Sequence, residues 1–445
     1  MSNIKVVFLP IGRVNFHMES ANDSLQKSKE MLEKIFPGVL MPNELLTSLD
    51  MLNDYLRSIE KPDLIILQNT TFVDSTFASE VLRYCDCPVL LWTLREPVID
   101  GGRLRLNSLT GAFAAGNLFY NRRKKFEYIF GGPDEEKVKA KIASVIKACQ
   151  VYKSLKELTI GVVGNAPSGF YFSNALDTEV QNVVGARLEY IEVRDIINKA
   201  KELKEKDYNS YIVDAGKNIK DLDKIPAENL EKFGRLFAAY LAFVKEKGIK
   251  ALASRCWPDF FVEYATPVCS VLSGLTEQGI VSSCEADVYG AISMFILREF
   301  TGTAPYFGDP VSLDEKKNSI IFWHCGAGAC SLAHKDTGAR AGVHPNRKIG
   351  PTMEFGLKPG KVTVIRLGRK HDGTFRMFLM SGEALDEPQK FLGTSVEVKA
   401  DTDAAQIVNK AVVDGWEPHF ALVYGDVKEE IKILCNLLNL EVVEY

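Results

Sequence analysis

Two carboxylates in unusual surroundings are the strongest chemical signal in the sequence. Glu285 and Asp287 stand between a predicted apolar strand at residues 280–282 and a predicted apolar helix at residues 291–300. A carboxylate there needs a partner, because burying an unpaired charge is costly. Asp309 follows 24 residues after Glu285, among aromatic side chains. Such acids could serve in acid–base chemistry or hold a cation, although Asp287 or Glu285 could also cap the helix and Asp309 could start a turn.

Two further segments could in principle carry chemistry. The glycine-rich loop at residues 161–169 follows a strand, but its glycines lack the G-x-G-x-x-G spacing of dinucleotide sites and Pro167 interrupts it. A plain crossover between strand and helix is the simpler interpretation. His324 and Cys325 end another predicted strand, and neighbours on a strand point to opposite faces, so we do not expect them to hydrogen-bond each other. A ligand-lining wall and a tight turn both stay open for that segment.

The elements that must position these residues have the pattern of an α/β fold. Strands predicted at residues 6–9, 64–67 and 89–92 alternate with helices at 24–36, 44–59 and 135–153. The pattern then restarts with strands at 158–163, 188–193, 210–214, 251–254 and 280–282 and a helix at 230–246. Continuous apolar strands separated by helices predict parallel sheets covered on both faces. We therefore predict two Rossmann-like, doubly wound domains.

The last third of the chain has a different pattern of predicted secondary structure. Strands predicted at residues 319–323, 361–367, 375–380 and 395–399 are joined by glycine-rich turns, and a final helix is predicted at 427–438. This indicates a β-rich, mostly antiparallel or barrel-like domain. A chain of 445 residues is too long for one ordinary core, so we predict domains at residues 1–155, 156–300 and 301–445.

Composition narrows the class of partner. The net charge of −4 argues against nucleic acid, and the basic cluster at residues 122–125 is interpreted as a solvated helix end. The nine cysteines are odd in number and mostly lie in apolar runs, which is typical of small buried hydrophobes rather than zinc ligands. The chain enters a strand at once and has no apolar run long enough for a bilayer, so we expect a cytoplasmic protein without a membrane partner.

Three segments together resemble the L-fucose isomerase family, of which this chain would be a short member. They are EADVYGAISM at residues 285–294, TGTA at 301–304 and FGD at 307–309. The resemblance, which extends more distantly to L-arabinose isomerase, implies two Rossmann-like domains followed by a β-rich one. It also implies a divalent metal, usually Mn²⁺, held by Glu285, Asp309 and His419, with His324 as a neighbouring candidate. A homo-oligomer with sites near the subunit interfaces is expected as well.

These residues suit the interconversion of an aldose and a ketose through an enediol. A cation would stabilise charge on the sugar oxygens, Glu285 would act as the base and Asp309 as its proton-handling partner. For the monosaccharide we expect Trp92 and Trp257 as stacking surfaces and Arg13 as a donor, although aromatic core and a surface salt bridge remain alternatives for them. The sequence does not identify the sugar. A non-catalytic sugar-binding or regulatory protein and a nucleotide-dependent oxidoreductase stay open as other functions.

Overall fold

The structure, a computed structural model, describes residues 2–445. It divides into two compact units. Unit 1 comprises the chain up to Ser154 together with Glu429–Asn439, and unit 2 comprises Leu155–Lys428 together with Leu440–Tyr445. The units divide next to the first predicted domain boundary, at residue 155. The segments predicted as second and third domains form one unit, and the final helix, predicted within the third domain, is grouped with unit 1.

Unit 1 is built on a parallel sheet in the order β1-β2-β3-β4. Its strands are β1 (Val6–Ile11), β2 (Leu64–Asn69), β3 (Val89–Thr93) and β4 (Glu127–Phe130). Its helices are α1 (Met18–Ile35), α2 (Leu49–Ser58), α3 (Ser75–Tyr84), α4 (Ser108–Asn121) and α5 (Glu136–Lys156). Every residue of β1, β2 and β3 is buried, as expected for a sheet covered on both faces. Parallel bridges from Val7 to Leu40 and from Ile11 to Leu46 extend the sheet beyond β1, which gives it the doubly wound order.

Unit 2 begins with a second parallel sheet in the order β6-β5-β7-β8. Its strands are β5 (Thr159–Val163), β6 (Arg187–Ile191), β7 (Ala251–Ser254) and β8 (Val281–Cys284). Its helices are α6 (Asp177–Val184), α7 (Val193–Glu202), α8 (Glu205–Asn218), α9 (Ala227–Lys247), α10 (Asp259–Glu263), α11 (Cys269–Glu277) and α12 (Val288–Thr301). The strand order reverses between β5 and β7, and doubly wound sheets bind ligands at the carboxyl ends of the strands beside such a reversal.

One predicted strand of this sheet is wrong. Residues 210–214 lie inside α8. Their apolar neighbours follow the helical spacing, since Tyr208 is buried and Tyr211, Ile212 and Ala215 pack against the hydrophobic core of this part of unit 2. The short run of β-branched residues that suggested a strand is therefore one face of an amphipathic helix.

The rest of unit 2 is a closed antiparallel barrel with additional strands. The strands are β9 (Tyr306–Asp314), β10 (Ser319–His324), β11 (Arg340–Gly342), β12 (Thr352–Gly356), β13 (Gly360–Arg369), β14 (Phe375–Ala384), β15 (Thr394–Ala400) and β16 (Phe420–Tyr424). After α13 (Ala404–Val413), the chain ends with α14 (Lys428–Leu438), grouped with unit 1, and β17 (Glu441–Glu444). Antiparallel pairs run β15-β10-β9-β16-β13-β14, and pairing of β14 with β15 closes this ring. The predicted barrel-like architecture is confirmed.

Helix α12 connects the sheet and the barrel of unit 2. It packs against β7 and β8 on one side and against β13 and β16 on the other, and most of its residues are buried. Its amino-terminal end therefore faces both the carboxyl edge of the parallel sheet and the barrel strands. Among residues 2–445, no helix combines the length and the hydrophobicity that a bilayer crossing would need.

Candidate active site

The junction between β8 and α12 carries two acids, Glu285 and Asp287. Glu285 follows β8 directly, and both Glu285 and Ala286 adopt left-handed backbone conformations, with φ of 59° and 54°. Such conformations cost residues other than glycine about 1 kcal/mol or more each and tend to occur where a site needs them. Asp287 then caps α12, accepting a 2.8 Å hydrogen bond from the Gly290 amide through Oδ1. The turn thus places Glu285 between the end of β8 and the residue that caps α12.

The barrel supplies the other two residues of the cluster. Asp309 lies on β9, and His419 directly precedes β16. The register pairs Phe420 with Gly308, which makes His419 and Asp309 neighbours across the two antiparallel strands. His419 Nε2 lies 3.0 Å from Glu285 Oε2 and 3.3 Å from Asp309 Oδ1. The three side chains singled out in the sequence therefore meet at one imidazole nitrogen.

A buried ion pair orients that imidazole. His419 Nδ1 lies 2.8 Å from Asp287 Oδ2, and Arg366 on β13 donates to the same oxygen at 2.5 Å. The side chains of Asp287 and Arg366 are both fully buried. The helix cap that the sequence left open for Asp287 is present, but its contact with the histidine was not predicted. Arg366 was missed altogether, although an arginine directly between Ile365 and Leu367 in β13 was a signal.

Burial and neighbouring charge shift the pKa values within the cluster. Burial alone would raise the pKa of Asp287, but the Arg366 guanidinium and the His419 hydrogen bond lower it to about 2. Burial would lower the pKa of His419, yet hydrogen bonds to Asp287 and Glu285 and the charge of Asp309 raise it to about 9. Burial raises the pKa of Asp309, against the attraction of His419. Without a cation, the carboxylates around His419 thus keep a proton on its ring.

The donors in this cluster are ones that a divalent cation could use. Among the described residues, Glu285, His324 and His419 each offer a ligand atom within 4.8 Å of the others. Asp309 Oδ1 is buried and makes no hydrogen bond, so it is an acceptor without a donor. A histidine whose Nδ1 is held by a carboxylate and whose Nε2 faces further carboxylates is the usual arrangement of a metal-ligating imidazole. Carboxylate and imidazole ligands suit Mn²⁺ and similar ions.

Aromatic side chains form the walls of the site. Trp257, just after β7, directs Nε1 toward Glu285 Oε1 at 3.4 Å, and the edge of Phe170 packs against its ring at 5.7 Å. Phe172 and Phe307 pack on the His419 ring at 5.1 and 4.8 Å between ring centres. The loop after β5, predicted only as a crossover, thus contributes two aromatic rings to the site.

Two residues predicted to bind the sugar belong to unit 1. Trp92 is a core residue: it is fully buried, donates through Nε1 to the Gly131 carbonyl at 2.9 Å, and so presents no face to solvent on which a sugar could stack. Arg13 donates to Asp74 at 2.8 Å, and its guanidinium lies over the Phe77 ring. Its surface salt bridge was the alternative that the sequence left open.

The prediction that His324 and Cys325 would not hydrogen-bond each other is wrong. Cys325 Sγ lies 3.4 Å from His324 Nδ1. The alternation of side chains applies only within a strand, and β10 ends at His324, so the backbone turns and brings the thiol beside the ring.

Comparison with known proteins agrees with this architecture. Residues 344–445 match the model of the L-fucose isomerase C-terminal domain. Sulfoquinovose isomerases from Clostridium sp. (strain MSTE9) and Priestia aryabhattai are 50% and 44% identical to the chain, each over 100% of both sequences. The sulfoquinovose isomerase of Alkalicoccus urumqiensis is 41% identical over 99% of both. A solute-binding protein from Agrobacterium vitis, solved with α-D-tagatopyranose, aligns with 67% of this chain and 90% of its own chain at 14% identity. The TM-score of 0.17 is too low to indicate a shared fold.

The fold and these full-length relatives define an aldose–ketose isomerase. The two alternatives, a non-catalytic binding protein and an oxidoreductase, are thereby set aside. The chain belongs to the L-fucose isomerase family, and the relatives that match it over their whole length are sulfoquinovose isomerases.

Proposed function

We propose that this protein interconverts sulfoquinovose, a glucose derivative with a sulfonate on carbon 6, and the corresponding 2-ketose with the help of a divalent cation. The substrate is taken from the names of the relatives that match the whole chain. The observation that carries the chemistry is the convergence of Glu285 and Asp309 on His419 Nε2, with Nδ1 held by Asp287.

Glu285, Asp309 and His419 would hold the cation, with Mn²⁺ the first choice. Asp309 Oδ1, which is buried and accepts no hydrogen bond, and the anchored imidazole support this assignment. When bound, the cation would polarise the sugar carbonyl and stabilise negative charge as it develops on oxygen.

The proton chemistry falls to the two carboxylates. Isomerisation moves one proton between carbon 2 and carbon 1 and one between the two oxygens. Glu285 has an oxygen on each side of the site, Oε2 toward His419 and Oε1 toward Trp257, and it is the proposed base for the carbon-bound proton. Asp309, whose pKa is raised by burial, is the proposed carrier of the oxygen-bound proton. Phe172 and Phe307 cover the imidazole and limit the access of water.

A direct test combines metal removal with one substitution. EDTA treatment should abolish conversion of sulfoquinovose to its ketose, and added Mn²⁺ should restore it. Glu285→Gln should lower kcat by several powers of ten while far-UV circular dichroism stays unchanged. The matched control is Glu383→Gln, at an exposed carboxylate on β14, which should keep wild-type turnover. Full activity in EDTA would reject the metal, and near-normal activity of Glu285→Gln would reject the base.

The proposal extends to a homo-oligomer in which Arg13 of a neighbouring subunit completes the site. Arg13→Ala should then raise KM while the mass measured by light scattering stays above that of one chain. A fully active species with the mass of one chain would exclude this part of the proposal.

A further inference from the structure

The loop between β11 and β12 is fixed against the helix that follows Trp257. His344 in this loop is buried, and its ring packs edge-on against Phe261 of α10 at 5.2 Å. His344 Nδ1 accepts hydrogen bonds from the backbone amides of Asn346 and Arg347, both at 3.3 Å. The His344 amide donates to the Ile349 carbonyl at 2.9 Å, and the Lys348 amide donates to the His344 carbonyl at 2.8 Å. The backbone at Arg347 is therefore held in place before any ligand arrives.

The guanidinium of Arg347 has no carboxylate partner among the described residues. Its guanidinium lies 5.7 Å from the ring centres of both Trp257 and Phe261, and the residue is exposed. Within residues 2–445, no carboxylate forms an ion pair with it. Three other arginines of unit 2 are each paired with a carboxylate, namely Arg255 with Asp259, Arg366 with Asp287 and Arg369 with Glu179. Arg347 is thus available to an external anion.

Trp257 connects this cation to the reacting end of the site. The indole has Arg347 over its ring and directs Nε1 toward Glu285 Oε1 at 3.4 Å. One aromatic ring therefore separates the free guanidinium from the proposed base. The substrate has the same order of features: the carbons that exchange protons at one end, a chain with C–H groups in the middle, and a permanent anion on carbon 6.

We propose that Arg347 binds the sulfonate of the substrate and makes the enzyme prefer sulfonated over neutral sugars; this inference rests on the proposed function. A sulfonate stays ionised at physiological pH and offers three acceptor oxygens. A guanidinium always carries its charge and offers N–H donors in a planar fork that can engage two of those oxygens together. The Trp257 ring supplies the apolar surface for the carbon chain between the two ends.

The experiment compares two sugars that differ only in the sulfonate, namely sulfoquinovose and 6-deoxyglucose, with the Mn²⁺-loaded enzyme. Arg347→Ala should raise KM for sulfoquinovose about 10- to 100-fold with kcat changed less than about threefold, as expected for a lost charged hydrogen bond remote from the reacting carbons. For 6-deoxyglucose, kcat/KM should stay at the wild-type value. Arg347→Lys, which keeps the charge but loses the fork, should fall between. Lys348→Ala, the exposed neighbour, serves as the matched control and should behave as wild type.

The outcomes separate the inference from the function on which it rests. If wild-type enzyme isomerises sulfoquinovose and Arg347→Ala keeps its KM, the role of Arg347 is overturned while the proposed function stands. An equal loss with both sugars also overturns it, because that would mean Arg347 only supports the loop or Trp257. If wild-type enzyme acts on 6-deoxyglucose but not on sulfoquinovose, or on neither, the proposed function fails and the sulfonate site fails with it.

Discussion

Asp287→Asn is the substitution for which the structure makes the most detailed prediction. Asparagine keeps the oxygen that caps α12, and asparagine and aspartate are about equally good caps. It removes, however, the negative charge that faces Arg366 and His419. Arg366 would then remain fully buried with only Glu417 nearby, at 3.7 Å from Nε. The substitution therefore tests the charge separately from the cap.

The expected loss of stability is large. Removing one partner of a buried ion pair usually costs about 3–5 kcal/mol, because the remaining charge stays desolvated. Glu417 offsets part of this, so we expect about 3 kcal/mol from urea unfolding of the metal-free protein. Mn²⁺ affinity, measured by calorimetry, should fall about 10- to 100-fold, because Asp287 no longer fixes the His419 ring.

Two companion variants show whether this reasoning is right. Asp403→Asn changes another aspartate that caps a helix, but an exposed one without an arginine partner, and should cost well under about 1 kcal/mol. The double variant Asp287→Asn/Arg366→Met removes both charges and should recover most of the stability but none of the metal affinity. If Asp287→Asn is as stable as Asp403→Asn, or if the double variant is less stable than Asp287→Asn, the ion pair does not act as described.

Three further predictions follow from the contacts of the site and the core. Because the pKa of His419 is raised to about 9, its stabilisation of the metal-free protein should be complete below pH 6.5 and lost as pH rises toward 9, and a flat pH profile would speak against this. Trp92→Phe leaves the Gly131 carbonyl unpaired and should cost about 1–3 kcal/mol without changing KM, whereas a tenfold rise in KM would return Trp92 to the sugar site. Gly290→Ala places a Cβ 2.5 Å from the Phe307 ring and should destabilise the protein by about 1–3 kcal/mol and lower kcat; a fully active, fully stable variant would refute the close packing.

Much of the fold was predictable because local pattern and burial agree. The apolar runs that became β1, β2, β3 and β7 are short, rich in aliphatic residues and buried, and the sequence predicted each of them. Two strands that carry the site were missed. β9 contains Pro310, which suggested a turn, and β16 is a five-residue run directly after His419. Their strand character depends on pairing with distant parts of the barrel, which a local pattern does not reveal.

The residues of the candidate site were likewise predicted only in part. Glu285, Asp309 and His419 could be selected from their residue types, the spacing of the two acids and the family resemblance. The pair of Asp287 and Arg366 could not, because 79 residues separate them and only the packing of α12 against β13 brings them together. Trp92 was selected as a sugar-binding residue but lies in the core. A large aromatic residue near the end of a parallel strand is compatible with either a ligand-binding surface or the core, and the sequence does not distinguish them.

The closed ring of the barrel positions part of the site, namely Asp309, His419 and the buried Arg366, independently of the segment between β11 and β12. Asp309, His419 and Arg366 lie on or next to β9, β16 and β13, which are consecutive in the ring and hold one another in register. The segment with Arg347 lies outside that ring, between β11 and β12. If Arg347 binds the sulfonate as proposed, exchanges in this segment would alter which sugar is accepted while Asp309, His419 and Arg366 keep their positions. A designer could graft a new recognition loop here and keep the reaction.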